Sequence, residues 1–184
     1  NVTEISEHTL FEDYLPSYRA AVEAGVSMVM TAFNTIDRKP CTTNKKLLRD
    51  VLRGDMGFKG VVISDYAAVM ETVLHSTSLD TRDAAKKALL AGCDIDMMSE
   101  CYLYHLKTLV EEGELSESII DEAVLRVLEL KNKLGLFENP YKDASVEDEK
   151  ALLFCKEHQA LSRLAAEEST VLLKNDGALP LDRR

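Results

Sequence analysis

Three short apolar stretches mark the first hundred residues of this chain and predict strands. They cover residues 26–33, 57–63 and 93–98. In the second stretch, residues 61–63 are β-branched and continuous, with no polar residue between them. That pattern is typical of a strand buried on both faces of a parallel sheet. The strand ends just before an aspartate, at the edge where parallel α/β folds place their chemistry.

The segments between and after these strands have apolar residues at helical spacing. Helices are predicted at residues 15–24, 44–53, 67–74, 117–134 and 155–167, and one more between Asp80 as N-cap and Gly92 as terminator. Ser116 is the expected cap of the 117–134 helix, and Gly54 the expected end of the 44–53 helix. Alternating strands and helices predict a parallel sheet, either half of a (β/α)8 barrel or most of a small doubly wound domain. Periodicity does not choose between them.

The last part of the chain has a different character. Residues 138–150 are polar and acidic and contain Pro140, which predicts a linker or a surface excursion. Residues 169–173 predict a strand, which a turn at residues 175–177 follows.

Composition narrows the class of partner. The 184 residues have a formal net charge of −10 and no apolar run near the roughly 18 residues that cross a membrane. A nucleic-acid surface would be basic, so we expect neither a nucleic-acid nor a membrane partner, but a small neutral ligand. The four cysteines form no CxxC pair and are expected to be free thiols. We expect a soluble protein of the cytoplasm, the periplasm or the exterior.

Asp65 is the first candidate for chemistry. A carboxylate at a strand end can attack a carbon centre or accept a proton, but it can also cap the helix predicted at residues 67–74. The nearby glycines Gly54, Gly57 and Gly60 lack the spacing of a phosphate loop and precede a strand.

Asp94 and Asp96 form a second acidic feature. They flank Ile95, so both are expected on the same face of a strand. Two carboxylates on one face can bind a cation, but hydrogen-bonded groups at a strand end are the more common outcome.

In their order, several segments of the chain resemble glycoside hydrolase family 3. The resemblance rests on residues 27–34 (SMVMTAFN), 44–52 (NKKLLRDVL), 57–66 (GFKGVVISDY), 91–98 (AGCDIDMM), 124–137 with Asn139-Pro140-Tyr141, and 168–177 (ESTVLLKNDG). It covers nearly the whole chain.

The resemblance implies a fold and a division into domains. The fold would be the C-terminal half of a (β/α)8 TIM-type barrel, followed by a linker and the first strand of an α/β sandwich. Residues 1–135 would belong to the catalytic barrel, residues 136–167 to the linker and connecting helix, and residues 168–184 to the truncated sandwich.

The resemblance also implies a retaining exo-β-glycosidase, most often a β-glucosidase, that needs no metal or cofactor. Asp65 falls on the family's catalytic nucleophile, and Tyr66, Met30 and Phe33 fall on positions that line the sugar site. The acid/base glutamate is expected in the second domain, outside this chain, so the remainder of the enzyme would be needed for a complete site. The fragment alone is expected to be insoluble or inactive.

Two departures from the family pattern leave alternatives open. Asp37-Arg38 stands where the family usually has Asn-Gly, and Tyr66 replaces the more common Trp. The alternatives are a β-xylosidase or N-acetylglucosaminidase of the same family and a non-catalytic sugar-binding relative. An unrelated phosphate-binding barrel has little support, because no Gly-rich turn follows a strand.

Overall fold

The structure is a computed structural model that describes residues 2–142 and 145–182. It divides into two compact units, Asn1–Glu138 and Asn139–Arg184. Among the described residues, all of the strands belong to the first unit. None of the described helices combines the length and apolarity needed to cross a bilayer.

The strands of the first unit form two small sheets. They are β1 (Val2–Thr3), β2 (Met28–Met30), β3 (Thr35–Ile36), β4 (Lys39–Pro40) and β5 (Val61–Ile63). β2 pairs with β5 in parallel, and Ile63 in turn bridges Ile95 in parallel. These three segments lie side by side in chain order, as barrel strands do. The predicted fold class, α/β and part of a TIM-type barrel, is confirmed.

The helices of this unit largely follow the predicted periodicity. They are α1 (Glu7–Thr9), α2 (Leu15–Glu23), α3 (Ala68–Leu74), α4 (Thr81–Ala91), α5 (Cys101–Glu111) and α6 (Glu117–Lys133), with π-helical segments at Leu10–Tyr14 and Lys46–Asp55 and a 3-10 turn at Cys41–Thr43. Asp80 caps α4 by accepting a hydrogen bond from the Asp83 amide.

One predicted helix end is wrong, and one predicted cap lacks its side-chain hydrogen bond. Gly54 does not end its helix, because the segment is π-helical and continues to Asp55. α6 begins at Glu117 with Ser116 at the N-cap position, as predicted, but the Ser116 hydroxyl bonds the hydroxyl of Ser118 instead of a helix amide.

The core lies between the β2–β5 pair and the helices. Val62 is fully buried in it, and Val29 of β2 packs against the same cluster. Because side chains alternate along a strand, Met30 and Ile63 point to the opposite face of the sheet. Helices supply most of the remaining core residues, among them Leu48, Leu52, Val69, Ala84, Ala88, Leu89 and Leu109.

A hairpin of β3 and β4 follows β2. Its two turn residues, Asp37 and Arg38, have φ values of 48° and 67°. Both positive angles are those of a type I′ turn, for which Asn-Gly is the preferred pair. The turn therefore has the backbone shape that Asn-Gly favours, although neither residue is present.

The second unit holds α7 (Val146–Leu152) and α8 (Lys156–Ser169). The turn at residues 175–177 forms, with the Asn175 side chain bonded to the amides of Gly177 and Leu179. The strand predicted at 169–173 does not form: α8 runs to Ser169 and the backbone beyond is irregular. A strand needs a neighbour to pair with, and the described part of this unit offers only helices. The domain boundaries at residues 135 and 167 stay predictions.

Candidate active site

Asp65 lies two residues beyond the last residue of β5, at the carboxyl end of the parallel pair. Its side chain is half-buried, and its Oδ1 accepts a hydrogen bond of 2.7 Å from the amide of Tyr66. A capping side chain would bond an amide in the first turn of α3, which begins at Ala68. The cap interpretation is therefore not supported, and the carboxylate remains available for chemistry.

The chain turns sharply after Asp65. Ala67 has a φ of 57°, in the left-handed region that residues with a Cβ rarely adopt. Its amide donates to the carbonyl of Met97 at 2.8 Å, which holds the turn in place. Tyr66, between the two, is 60% exposed. Such an outlier, over-determined by hydrogen bonds, is a feature of functional sites.

Met30 stands at the corresponding end of the neighbouring strand. It pairs in register with Ile63, and the Thr31 amide donates to the Ile63 carbonyl at 2.9 Å. Met30 and Asp65 thus project from adjacent strand ends, and Met30 is 48% exposed. Phe33 is also exposed, but the pairing ends before it, so the strand register does not bring it to Asp65. Roles for these side chains in sugar binding stay predictions.

A cavity of about 290 Å³ lies beside β2 rather than at Asp65. Met30, Thr31 and Asn34 line it, together with apolar side chains from the two π-helical segments. Neither Asp65 nor Tyr66 takes part. Few of its lining groups can bond a sugar hydroxyl, so this space is a poor candidate for a carbohydrate site.

Asp94 is on the segment that neighbours β5, beside Val62 and towards the amino-terminal side of the strand. Its Oδ2 accepts from the Val62 amide at 2.8 Å and from Arg53 at 2.6 Å, and its Oδ1 accepts from Arg126 at 2.7 Å. Only 1% of the side chain is exposed. Arg53 also donates to the carbonyls of Gly60 and Gly92. Burial lowers the pKa of Arg53, although Asp94 acts against that shift.

Two guanidinium groups around Asp94 would repel a cation. Asp96 lies apart from them, with its Oδ2 accepting from the Tyr102 amide at 3.2 Å. Among residues 2–142 and 145–182, no group of three or more His, Cys, Asp or Glu side chains is placed to hold a metal. The interpretation of Asp94 as a hydrogen-bonded group at a strand end is confirmed.

The cysteines do not compete with Asp65 as nucleophiles in this unit. All four in the chain are free thiols, as predicted. Burial raises the pKa of Cys93 to about 12 and that of Cys41 and Cys101 to about 11. Because the thiolate is the reactive form, these three are inert at neutral pH.

The strand predicted at 93–98 is reduced to the single bridge at Ile95, and sequence reasoning missed the residue responsible. The buried hydroxyl of Ser64 accepts from the Met97 amide at 2.8 Å, where a longer ladder would use a backbone carbonyl. In the sequence, Ser64 is notable only as part of the segment 57–66 that resembles glycoside hydrolase family 3. The ion pairs of Arg53 and Arg126 with Asp94 were not predicted either, because in the sequence each arginine is only a charged residue in a helical segment.

Comparison with known proteins supports the resemblance. The sequence profile described as "Glycosyl hydrolase family 3 N terminal domain" matches residues 1–130. The chain is 38% identical to a periplasmic β-glucosidase of Salmonella typhimurium, over 95% of this chain and 23% of that protein. It is 37% identical to a β-xylosidase of Formosa agariphila, over 98% of this chain and 26% of that one.

The structural comparison gives the same result. The crystal structure of a β-glucosidase from Listeria innocua superposes with a TM-score of 0.86 at 48% identity, covering 98% of this chain and 25% of that one. The chain thus spans about a quarter of the length of these relatives. Fold, motif order and profile agree, and this chain belongs to glycoside hydrolase family 3.

Proposed function

We propose that the protein containing this chain is a retaining exo-β-glycosidase that removes terminal non-reducing β-D-glucosyl residues through a covalent intermediate on Asp65. The observation that carries the proposal is the half-buried Asp65 carboxylate at the carboxyl end of β5, with its Oδ1 bonded to one backbone amide. A carboxylate in such a position can act as the nucleophile that a retaining glycosidase requires.

The chemistry requires two carboxyl groups about 5–5.5 Å apart. Asp65 attacks the anomeric carbon as the bond to the leaving oxygen breaks, and a second carboxyl group donates a proton to that oxygen. The same group then deprotonates water, which releases the sugar from Asp65. This chain supplies the nucleophile, and we place the acid/base in the remainder of the enzyme.

The sugar is proposed from relatives. The Listeria innocua enzyme has been crystallised with glucose, and a mutant of it with laminaribiose. Tyr66 offers an exposed aromatic ring beside Asp65, which suits stacking against a sugar. Met30, at the adjacent strand end, would extend the apolar wall of the same subsite.

Trapping of the intermediate tests this proposal. The full-length protein would be treated with a 2-deoxy-2-fluoro-β-glucoside that has a good leaving group, digested, and analysed by mass spectrometry. We expect a fluoroglucosyl adduct on the peptide that contains Asp65. An adduct on another residue, or glucoside hydrolysis with inversion of configuration, would overturn the assignment.

The similarity to the Formosa agariphila β-xylosidase favours one second candidate, activity on β-xylosides. A xyloside lacks the hydroxymethyl group of a glucoside, so the two substrates report on the same subsite. The ratio of kcat/KM for matched aryl glucosides and aryl xylosides decides between them, and we expect it to favour the glucoside.

A further inference from the structure

The turn at residues 64–67, which contains Asp65, is hydrogen-bonded to residues 95–97. The Ser64 side chain makes the central hydrogen bonds. Ser64 is fully buried. Its hydroxyl accepts from the amide of Met97 at 2.8 Å and donates to the carbonyl of Asp65 at 2.9 Å. A hydroxyl can do both at once, which no apolar side chain of this size can do.

Backbone bonds run on both sides of this connection. The Ser64 amide donates to the carbonyl of Ile95 at 2.9 Å, and the Ala67 amide donates to the carbonyl of Met97 at 2.8 Å. Asp65 lies between these two fixed points. The orientation of its side chain therefore depends on how firmly residues 64–67 are held against residues 95–97.

The Asp65 carbonyl has a second donor. The amide of Ala68, at the start of α3, reaches it at 3.1 Å. The Asp65 carbonyl is thus oriented by two donors, the Ser64 hydroxyl and the Ala68 amide of α3. Since the carboxylate itself has one bond, to Tyr66, the backbone bonds do most of the orienting.

We propose that Ser64 is a positioning residue for the glycosylation step, acting through the Asp65 carbonyl and the Met97 amide. The inference rests on the proposed function, because it assumes that Asp65 attacks the sugar. Loss of the hydroxyl leaves the Met97 amide without its partner and frees the Asp65 peptide to rotate. A nucleophile displaced by about 1 Å costs roughly 100-fold in rate.

The test measures the attack by Asp65 directly. In the full-length protein, the rate constant and the dissociation constant for trapping by the 2-fluoroglucoside are measured separately. For Ser64→Ala we expect a decrease of about 10- to 100-fold in the trapping rate constant. The dissociation constant should stay within about twofold, because Ser64 is buried and does not contact the sugar.

Ser78→Ala is the matched control. Ser78 is also buried, and its hydroxyl accepts from Thr72 at 2.9 Å between α3 and α4. Its removal should lower the melting temperature much as Ser64→Ala does, with no change in the trapping rate constant. An equal decrease in rate for Ser78→Ala would show that general destabilisation is responsible and would overturn the proposal.

Ser64→Cys keeps the shape of the side chain but makes weaker hydrogen bonds. If Ser64→Ala does not fold, this variant tests the positioning role of Ser64 in its place. An intermediate trapping rate constant supports the proposal, and one within twofold of the natural protein overturns it. Failure of both variants to fold would make Ser64 a structural residue only. If the natural protein is not labelled at all, the proposed function is overturned as well. Labelling of the natural protein therefore separates a failure of the proposed function from a failure of the role proposed for Ser64.

Discussion

Asp65, just beyond the carboxyl end of β5, and Asp94, beside the amino-terminal half of that strand, are surrounded very differently. Asp65, at the carboxyl end, is half-buried and accepts one hydrogen bond from a backbone amide. Asp94 has 1% of its side chain exposed and is bonded to Val62, Arg53 and Arg126. The same type of residue is thus left available at one end and fully bonded at the other.

This difference suits Asp65 to a role in chemistry and Asp94 to a role in stability. A carboxylate held by two guanidinium groups and an amide has no free position for a substrate atom, and its neighbours cancel its charge. In (β/α)8 barrels the carboxyl ends of the strands carry catalysis, and the opposite ends carry stability. The two aspartates follow that division, and mutations at each end test it.

The largest effect is expected at the carboxyl end. Asp65→Ala in the full-length protein should lower kcat by roughly four to six orders of magnitude, because the covalent step loses its nucleophile. The melting temperature should not fall, since the side chain makes one local bond. Hydrolysis of an aryl β-glucoside and thermal unfolding measure the two quantities.

Azide supplies the diagnostic control for this variant. With an activated aryl β-glucoside, the anion can occupy the space vacated by the carboxylate and attack the anomeric carbon from that side. The expected product is the α-glucosyl azide, with inverted configuration. Formation of the β-azide would instead mean that the mutated residue was the acid/base.

Asp94→Asn should have the next largest effect, on stability instead of rate. The substitution keeps the shape but removes the counter-charge of the buried Arg53 and one of the two carboxylates that pair with Arg126. Breaking a buried ion pair in this way costs about 3–5 kcal/mol. The free energy of unfolding from denaturant titration measures it, with Asp50→Asn on the surface as a control near zero. Unchanged stability together with lost turnover would show that Asp94 takes part in catalysis, and the two aspartates would then not have different roles.

Gly60→Ala probes the amino-terminal end through packing. A Cβ at this position would lie 2.3 Å from the carbonyl oxygen of Ser27 and 2.7 Å from the ring of Phe58. The first of these is backbone, so β2 and β5 would have to separate. We expect a loss of about 1–3 kcal/mol in the free energy of unfolding.

Gly54→Ala is the matched control, because the nearest atom there is the Arg49 carbonyl oxygen at 3.4 Å. Alanine is also the better helix former. If both variants unfold at the same denaturant concentration, the tight approach at Gly60 does not constrain the strands.

The sequence was most informative where the signal was local. The run at residues 61–63 and the Asp65 that follows are adjacent in the chain, so strand, edge and carboxylate could be placed together. Asp80 as a helix cap and the turn at 175–177 depend on neighbours within four residues, and both were predicted correctly.

The partners of Asp94 could not be predicted in this way. Arg53 precedes it by 41 residues and Arg126 follows it by 32, so only the packed helices show that they converge. The strand expected at 169–173 failed for a related reason. A strand depends on a partner that local sequence does not contain, and the described part of that unit does not provide one.

The smallest effect is expected from Glu122, at the outer side of the Asp94 cluster. Burial acts to raise its pKa, but hydrogen bonds and charge from Arg49 and Arg126 outweigh it, so the pKa is lowered below 4.5. The unfolded chain therefore binds the proton more tightly than the folded one. The stabilisation from Glu122 is present above about pH 4.5 and is lost as the pH falls through the lowered value.

Glu122→Gln should remove at most about 1 kcal/mol at neutral pH, because a carboxylate this exposed is screened by water. The difference in free energy of unfolding between the natural protein and the variant should shrink towards zero as the pH falls below 4.5. Glu129→Gln, exposed on the same helix α6, is the control for the change from carboxylate to amide itself. A constant difference across this range would mean that Glu122 acts by packing, and that the charge network at the amino-terminal end stops at Asp94 and its two arginines.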